Sequence, residues 1–204
     1  MSTQTAQKNR PRGRPVKNAE GRRVSPWAWA GFAAPLLVVA AIVIAGAVSG
    51  EPGSDLEGAR APSFRVPTSS GGEISLEEIL AEGDALLYFS MGVGCDGCFA
   101  QIPEVARPLA ERGLALIPVM VDPPEKVAQE ASRFELSMPV LIDESREVSE
   151  AYGMLGVYGH PDRPSHSFAL VRADGTVDWV KHYATMFVPL DQLLADMGDA
   201  APQA

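Results

Sequence analysis

Both cysteines of the chain lie in one short segment, Gly94-Cys95-Asp96-Gly97-Cys98. Two thiols separated by two residues at the start of a helix sit about one turn apart, so their sulfurs can join and part without moving the backbone. The free N–H groups and positive end of the helix stabilise a thiolate on the first sulfur. Cys95 is therefore the attacking thiol and Cys98 the resolving one. Three plainer readings weigh less. A structural cross-link closing so small a loop removes little chain entropy. A closed zinc site needs a second ligand pair that His160, His166 and His182 do not form. Two lasting inert thiols are at odds with oxidising surroundings. Asp96 beside Cys95 disfavours the thiolate and predicts a dithiol that reduces rather than a strong oxidant.

The elements around the motif must hold it at a strand-to-helix junction. Ala85-Leu-Leu-Tyr-Phe-Ser90 is a continuous apolar run suited to a strand buried on both faces, with Tyr88 and Phe89 as packing. Phe99, Ile102, Val105, Ala106 and Leu109 recur at helical spacing up to Arg112. Strands are predicted at 114–121, 139–142, 168–171 and 177–181, the last two joined across Asp174-Gly175, and helices at 125–134, 145–152 and 190–197. A hairpin from 63–66 and 73–74 and a short helix at 76–81 precede them. The order is α/β, a central mixed sheet covered on both faces.

Charge divides the chain in two. Of 204 residues, 46% are hydrophobic and 21% charged, and the net charge of −9 argues against a nucleic-acid partner. Residues 1–50 nevertheless hold seven Lys/Arg and one acid, while the rest hold ten and 25. The basic segment 1–26 is followed by an uncharged run, Trp27 to Val48. As a helix that run reaches about 33 Å, enough for a bilayer core of ~30 Å. It is longer than a signal-peptide core, although Ala45-Gly46-Ala47 has the look of a cleavage site. A retained transmembrane helix at 27–48 is expected, with the basic end cytoplasmic and the rest extracytoplasmic. A flexible linker at 49–60, a domain at 61–197 and a frayed tail at 198–204 complete the expected organisation.

With these pieces in place the chain resembles the thioredoxin-like superfamily, and within it the membrane-anchored redoxins of the TlpA/ResA and AhpC/TSA type. The resemblance rests on Ala61-Pro-Ser-Phe-Arg-Val-Pro67 with Gly72-Glu-Ile-Ser-Leu76, the strand–Cys95-x-x-Cys98–helix unit, Met138-Pro-Val-Leu-Ile-Asp143, Ala151-Tyr-Gly153, and Ser167-Phe-Ala-Leu-Val171 with Asp174-Gly175. It implies a thioredoxin-like fold and a thiol–disulfide oxidoreductase with no cofactor beyond its own dithiol. Protein disulfides would be its substrates and a membrane thiol carrier its electron donor. A cis-proline loop beside the cysteines would dock the substrate chain, with Pro164, followed by Ser165, as the best match and Pro161 as the second.

The sequence departs from this pattern in places. No carboxylate stands in the strand ahead of the motif, where many relatives keep a buried acid for proton transfer. The peroxiredoxin pattern Pro-x-x-x-Thr-x-x-Cys fits neither cysteine: Tyr88 and Gly92 occupy its places counted from Cys95, Met91 and Cys95 those counted from Cys98. A peroxiredoxin-like thiol antioxidant is therefore the alternative rather than the first reading. Copper-binding assembly factors of the Sco type pair two cysteines with a histidine before a later strand, and His166 occupies a comparable stretch. Their cysteines are spaced by three residues, not two.

Overall fold

The structure is a computed structural model and describes residues 54–202. The basic segment 1–26, the expected transmembrane helix 27–48 and the first part of the linker lie outside the described residues. Among the described residues no helix is long and apolar enough to cross a membrane.

A five-stranded mixed sheet forms the centre. Its strands are β3 (Ala85–Phe89), β4 (Ala115–Met120), β5 (Leu141–Ile142), β6 (His166–Val171) and β7 (Val177–Tyr183), in the order β5-β4-β3-β6-β7. β3 runs parallel to β4 and antiparallel to β6, whose hairpin partner is β7. A separate two-stranded hairpin, β1 (Arg65–Pro67) with β2 (Glu73–Ser75), precedes them. Its exit is a capping box: the Ser75 hydroxyl accepts from the Glu78 N–H and the Glu78 carboxylate from the Ser75 N–H, starting helix α1 (Leu76–Leu80).

All five residues of β3 are buried, as a central strand covered on both faces requires. Strand alternation sends Leu86 and Tyr88 to one layer and Ala85, Leu87 and Phe89 to the other. The first layer is filled by Phe99, Ile102, Val105 and Leu109 of α2 (Asp96–Ala110), Val127 of α3 (Pro124–Arg133), and Leu193 and Met197 of α5 (Leu190–Met197). The second holds Leu76 and Ile79 of α1 and Val148 of α4 (Glu147–Ala151). Helix α2 carries Pro103 and Pro108 in its interior. Each removes a helical N–H, and the buried apolar stripe on the opposite side offsets that loss.

Two boundaries differ from expectation. The described end of the linker is docked: the Gly58 N–H donates to the Val177 carbonyl, the Ala61 N–H to that of Gly175, and Glu57 accepts from the Val180 N–H. Its Gly/Pro-rich composition suggested a coil, but the exposed edge of β7 has backbone groups to satisfy. The start of the tail is also held, with the Ala200 carbonyl accepting from Arg172.

Candidate functional site

Cys95 and Cys98 are joined as a disulfide with their Cα atoms 5.3 Å apart. Cys95 is the N-cap of α2, and its sulfur accepts the Cys98 N–H at 3.2 Å. That contact, with the helix dipole behind it, is what a Cys95 thiolate needs once the bond opens. Cys95 is 9% exposed and Cys98 fully buried, so an incoming disulfide meets Cys95 first.

The loop leading to the motif is clamped from two distant segments. Asp122, just after β4, accepts the Val93 N–H at 2.8 Å and a two-point ion pair from Arg163 at 3.0 and 2.9 Å. Arg163 also donates to the Met91 carbonyl at 2.6 Å. Burial would favour an uncharged pair, but the fork geometry compensates, and the guanidinium is held above its ordinary pKa by the carboxylate. Gly92 is required here: its φ is +74°, and a Cβ would fall 2.1 Å from the Asp122 carboxylate.

Above the motif lies the segment after β7. Met186 Sδ is 3.7 Å from Cys95 Sγ, and Met186 and its neighbour Phe187 are both exposed. Asp96 is not the lone negative charge that its position suggested. Its carboxylate is 2.7 Å from Arg133 of α3, which holds its pKa below the ordinary value. The pair is exposed, so its field at Cys95 is weak in either direction. Asp96 therefore does little to make the dithiol more reducing.

Below the motif, Cys98 faces a polar cluster inside the apolar layer. His166, first residue of β6 and 1% exposed, places Nδ1 3.7 Å from Cys98 Sγ. Its Nε2 is 2.6 Å from the Tyr88 hydroxyl and 2.8 Å from Gln101 Oε1. Tyr88 donates to the Cys98 carbonyl at 3.3 Å. Gln101, one turn beyond Cys98 and fully buried, also accepts the Val188 N–H at 2.8 Å and donates to the Val188 carbonyl at 3.1 Å. Burial lowers the His166 pKa to about 4 and raises that of Tyr88 well above its ordinary value.

Tyr88 is more than the packing residue that its strand suggests, and Gln101 joins the site unannounced by any motif. Tyr88 does stack on Phe168 at 4.7 Å, but its hydroxyl end serves the cluster. Gln101 lies one turn beyond Cys98, but no local spacing links it to His166 on a strand 65 residues away.

The docking loop differs more. Pro164 and Ser165 are both buried, directly ahead of β6. The Ser165 hydroxyl pairs with that of Ser167 at 3.0 Å, which in turn meets His182 Nδ1 at 2.8 Å. Among the described residues every peptide bond is trans, those of Pro164 and Pro161 included, so the expected cis-proline is absent. The stretch 158–163 ends instead in Arg163, which reaches Asp122. Among the described residues no group of three or more His, Cys, Asp and Glu side chains is arranged to hold a metal ion. His166 does reach Cys98, through Nδ1 at 3.7 Å.

A strand–Cys-x-x-Cys–helix unit on this mixed sheet, with a preceding hairpin, defines a thioredoxin-like redoxin. The AhpC/TSA family model matches residues 58–180, more than half of the chain, and the chain belongs to that family. A peroxiredoxin-named protein of Mycobacterium tuberculosis, Rv2521, is 30% identical over 102 residues, 48% of this chain and 64% of that protein. The thiol-disulfide oxidoreductase ResA of Halalkalibacterium halodurans is 30% identical over 101 residues, 48% of this chain and 56% of that protein. The chain thus spans under two thirds of the length of either. Among solved structures, peroxidoxin BcpB of Mycobacterium tuberculosis superposes with a TM-score of 0.61 at 22% identity, covering 72% of this chain and 98% of that one, a likeness of fold.

Proposed function

We propose that this chain is a thiol–disulfide oxidoreductase that reduces protein disulfides through Cys95 and Cys98. The observation that carries the reading is the placement of the two sulfurs: Cys95 at the helix N-cap near the surface, Cys98 one turn in, buried and bonded to it. In the reduced protein the Cys95 thiolate attacks a substrate disulfide, and Cys98 displaces the substrate from the mixed disulfide. The likeness to ResA, named a thiol-disulfide oxidoreductase, supports exchange chemistry at this pair. The uncharged run 27–48 supports an anchored domain on the outer side of a membrane, and such a domain needs electrons from a membrane thiol carrier.

Peroxide reduction is the second reading, favoured by the AhpC/TSA family match and the peroxiredoxin-named relative. Against it stands the absence of the Pro-x-x-x-Thr-x-x-Cys pattern ahead of either cysteine. The full chain in detergent, reduced and given a disulfide-bonded protein or hydrogen peroxide in parallel, separates the two. Faster oxidation by the protein disulfide supports the first reading. Faster peroxide consumption replaces it with the second.

A further inference from the structure

The cluster under Cys98 has a determinable proton arrangement, and that arrangement has a use. The Val188 N–H can only donate and its carbonyl can only accept, so the Gln101 amide that meets both is fixed with Oε1 toward the N–H and its NH2 toward the carbonyl. An oxygen 2.8 Å from His166 Nε2 then requires that nitrogen to carry the proton. Tyr88 is compatible with this: its oxygen shares the Nε2–H at 2.6 Å while its own proton goes to the Cys98 carbonyl. The remaining ring nitrogen, Nδ1, keeps a bare lone pair, and the sulfur it faces at 3.7 Å is Cys98.

We infer that His166 is the proton acceptor for Cys98 in the resolving step, held in the required tautomer by Gln101. The inference rests on the dithiol reading above. In the mixed disulfide between Cys95 and substrate, the S–H bond of Cys98 breaks as its proton passes to Nδ1. The Cys98 sulfur bonds to Cys95 Sγ, and the bond between Cys95 Sγ and the substrate sulfur breaks, its electron pair leaving on the substrate. That thiolate takes up a proton from the imidazolium or from solvent. The two cysteines are oxidised by two electrons and the substrate disulfide is reduced. A neutral imidazole thus serves where the strand ahead of the motif offers no carboxylate.

The groups facing His166 keep the imidazolium transient. They are Tyr88 from β3, Cys98 and the neutral Gln101 from α2, Phe168 from β6 itself, and Tyr183, its cross-strand partner on β7, whose hydroxyl donates to Asp196 of α5 at 2.7 Å. None of its hydrogen-bond partners is a carboxylate. The resting contact in the reduced protein is therefore a neutral S–H···N hydrogen bond, and the proton moves only as the new S–S bond forms.

The test uses the reduced full chain in detergent with one equivalent of dithiobis(nitrobenzoate), which releases one coloured thiolate when Cys95 attacks and a second when Cys98 resolves. With His166→Phe, the second release should slow by at least about tenfold at pH 6, with the first release little changed. Its rate should rise close to tenfold per pH unit below neutrality in the variant and more shallowly in the unmodified protein. Gln101→Met should slow the second release as well, and Gln101→Glu, which keeps an acceptor for Nε2–H, should recover most of it. Both releases slowing together, or neither changing, would overturn the inference. Should His166→Phe fail to fold, an unchanged second release in Gln101→Met does so alone. An unmodified protein that releases only one equivalent, or none, would instead remove the dithiol reading.

Discussion

The two sulfurs of one disulfide live in different media. Cys95 looks outward on an exposed methionine, an exposed ion pair and a clamped glycine loop, and its contacts are one backbone N–H and a thioether. Cys98 looks inward on a tyrosine, a histidine and a glutamine, all buried and all hydrogen-bonded. Attack requires access and a stabilised anion. Resolution requires a proton sink where water does not reach. A single helix turn separates the two demands.

The coarsest way to break this contrast is to delete either sulfur. Cys95→Ser should bring protein-disulfide reduction to background, because a hydroxyl does not replace a thiolate nucleophile. Cys98→Ser should keep the attack but accumulate mixed disulfides, which mass spectrometry under acid quench would display. Equal trapping by both variants would erase the distinction.

The clamp on the outward side comes next. Gly92→Ala places a methyl on the Asp122 carboxylate at a positive φ and should cost about 3 kcal/mol in urea unfolding. Asp122→Ala strands the partly exposed Arg163 and the Val93 N–H, and about 2 kcal/mol is expected. Both should slow the first thiolate release more than the second.

The inward side should show itself in acid. Unfolded, residue 166 takes up a proton near pH 6.5, whereas burial holds the folded pKa at about 4. Between those values the unfolded chain binds more protons, so its contribution to stability is full above pH 6.5 and is lost as pH falls toward 4. The slope reaches at most about 1.4 kcal/mol per pH unit, and it should disappear in His166→Phe. Unfolding curves of the oxidised protein between pH 5 and 7 would read the difference between the two. The smallest effect belongs to Asp96→Asn. Arg133 already offsets that charge at the surface, so the first release should change by no more than about twofold.

Much of the frame was legible in the sequence because periodicity reports burial. The continuous run 85–90 is the central strand, the 3.6-residue spacing after Cys98 is the long helix, and 190–197 is a helix at the bounds expected. The cysteine pair and its place at a helix start could be read because they are local. The cluster under Cys98 could not, since Tyr88, Gln101, His166 and Val188 come from four segments and nothing in their spacing announces a shared point. Strand β6 also begins two residues before its apolar pattern does, which concealed that His166 belongs to the sheet. The docking proline is an expectation from resemblance alone, and the loop ahead of it carries Arg163 to Asp122.

Gly97, the inner residue between the cysteines, restricts how this motif could be transplanted. A Cβ at that position would stand 2.9 Å from the Met186 carbonyl, on the segment that also brings a thioether to Cys95. The dipeptide and the segment ninety residues away are cut to one another. Replacing Asp96-Gly97 by another dipeptide with a side chain at 97, one route to retuning the dithiol, would push that segment off the outward sulfur. Engineers of this domain would need to exchange the two pieces together, as lock and key rather than as a cassette.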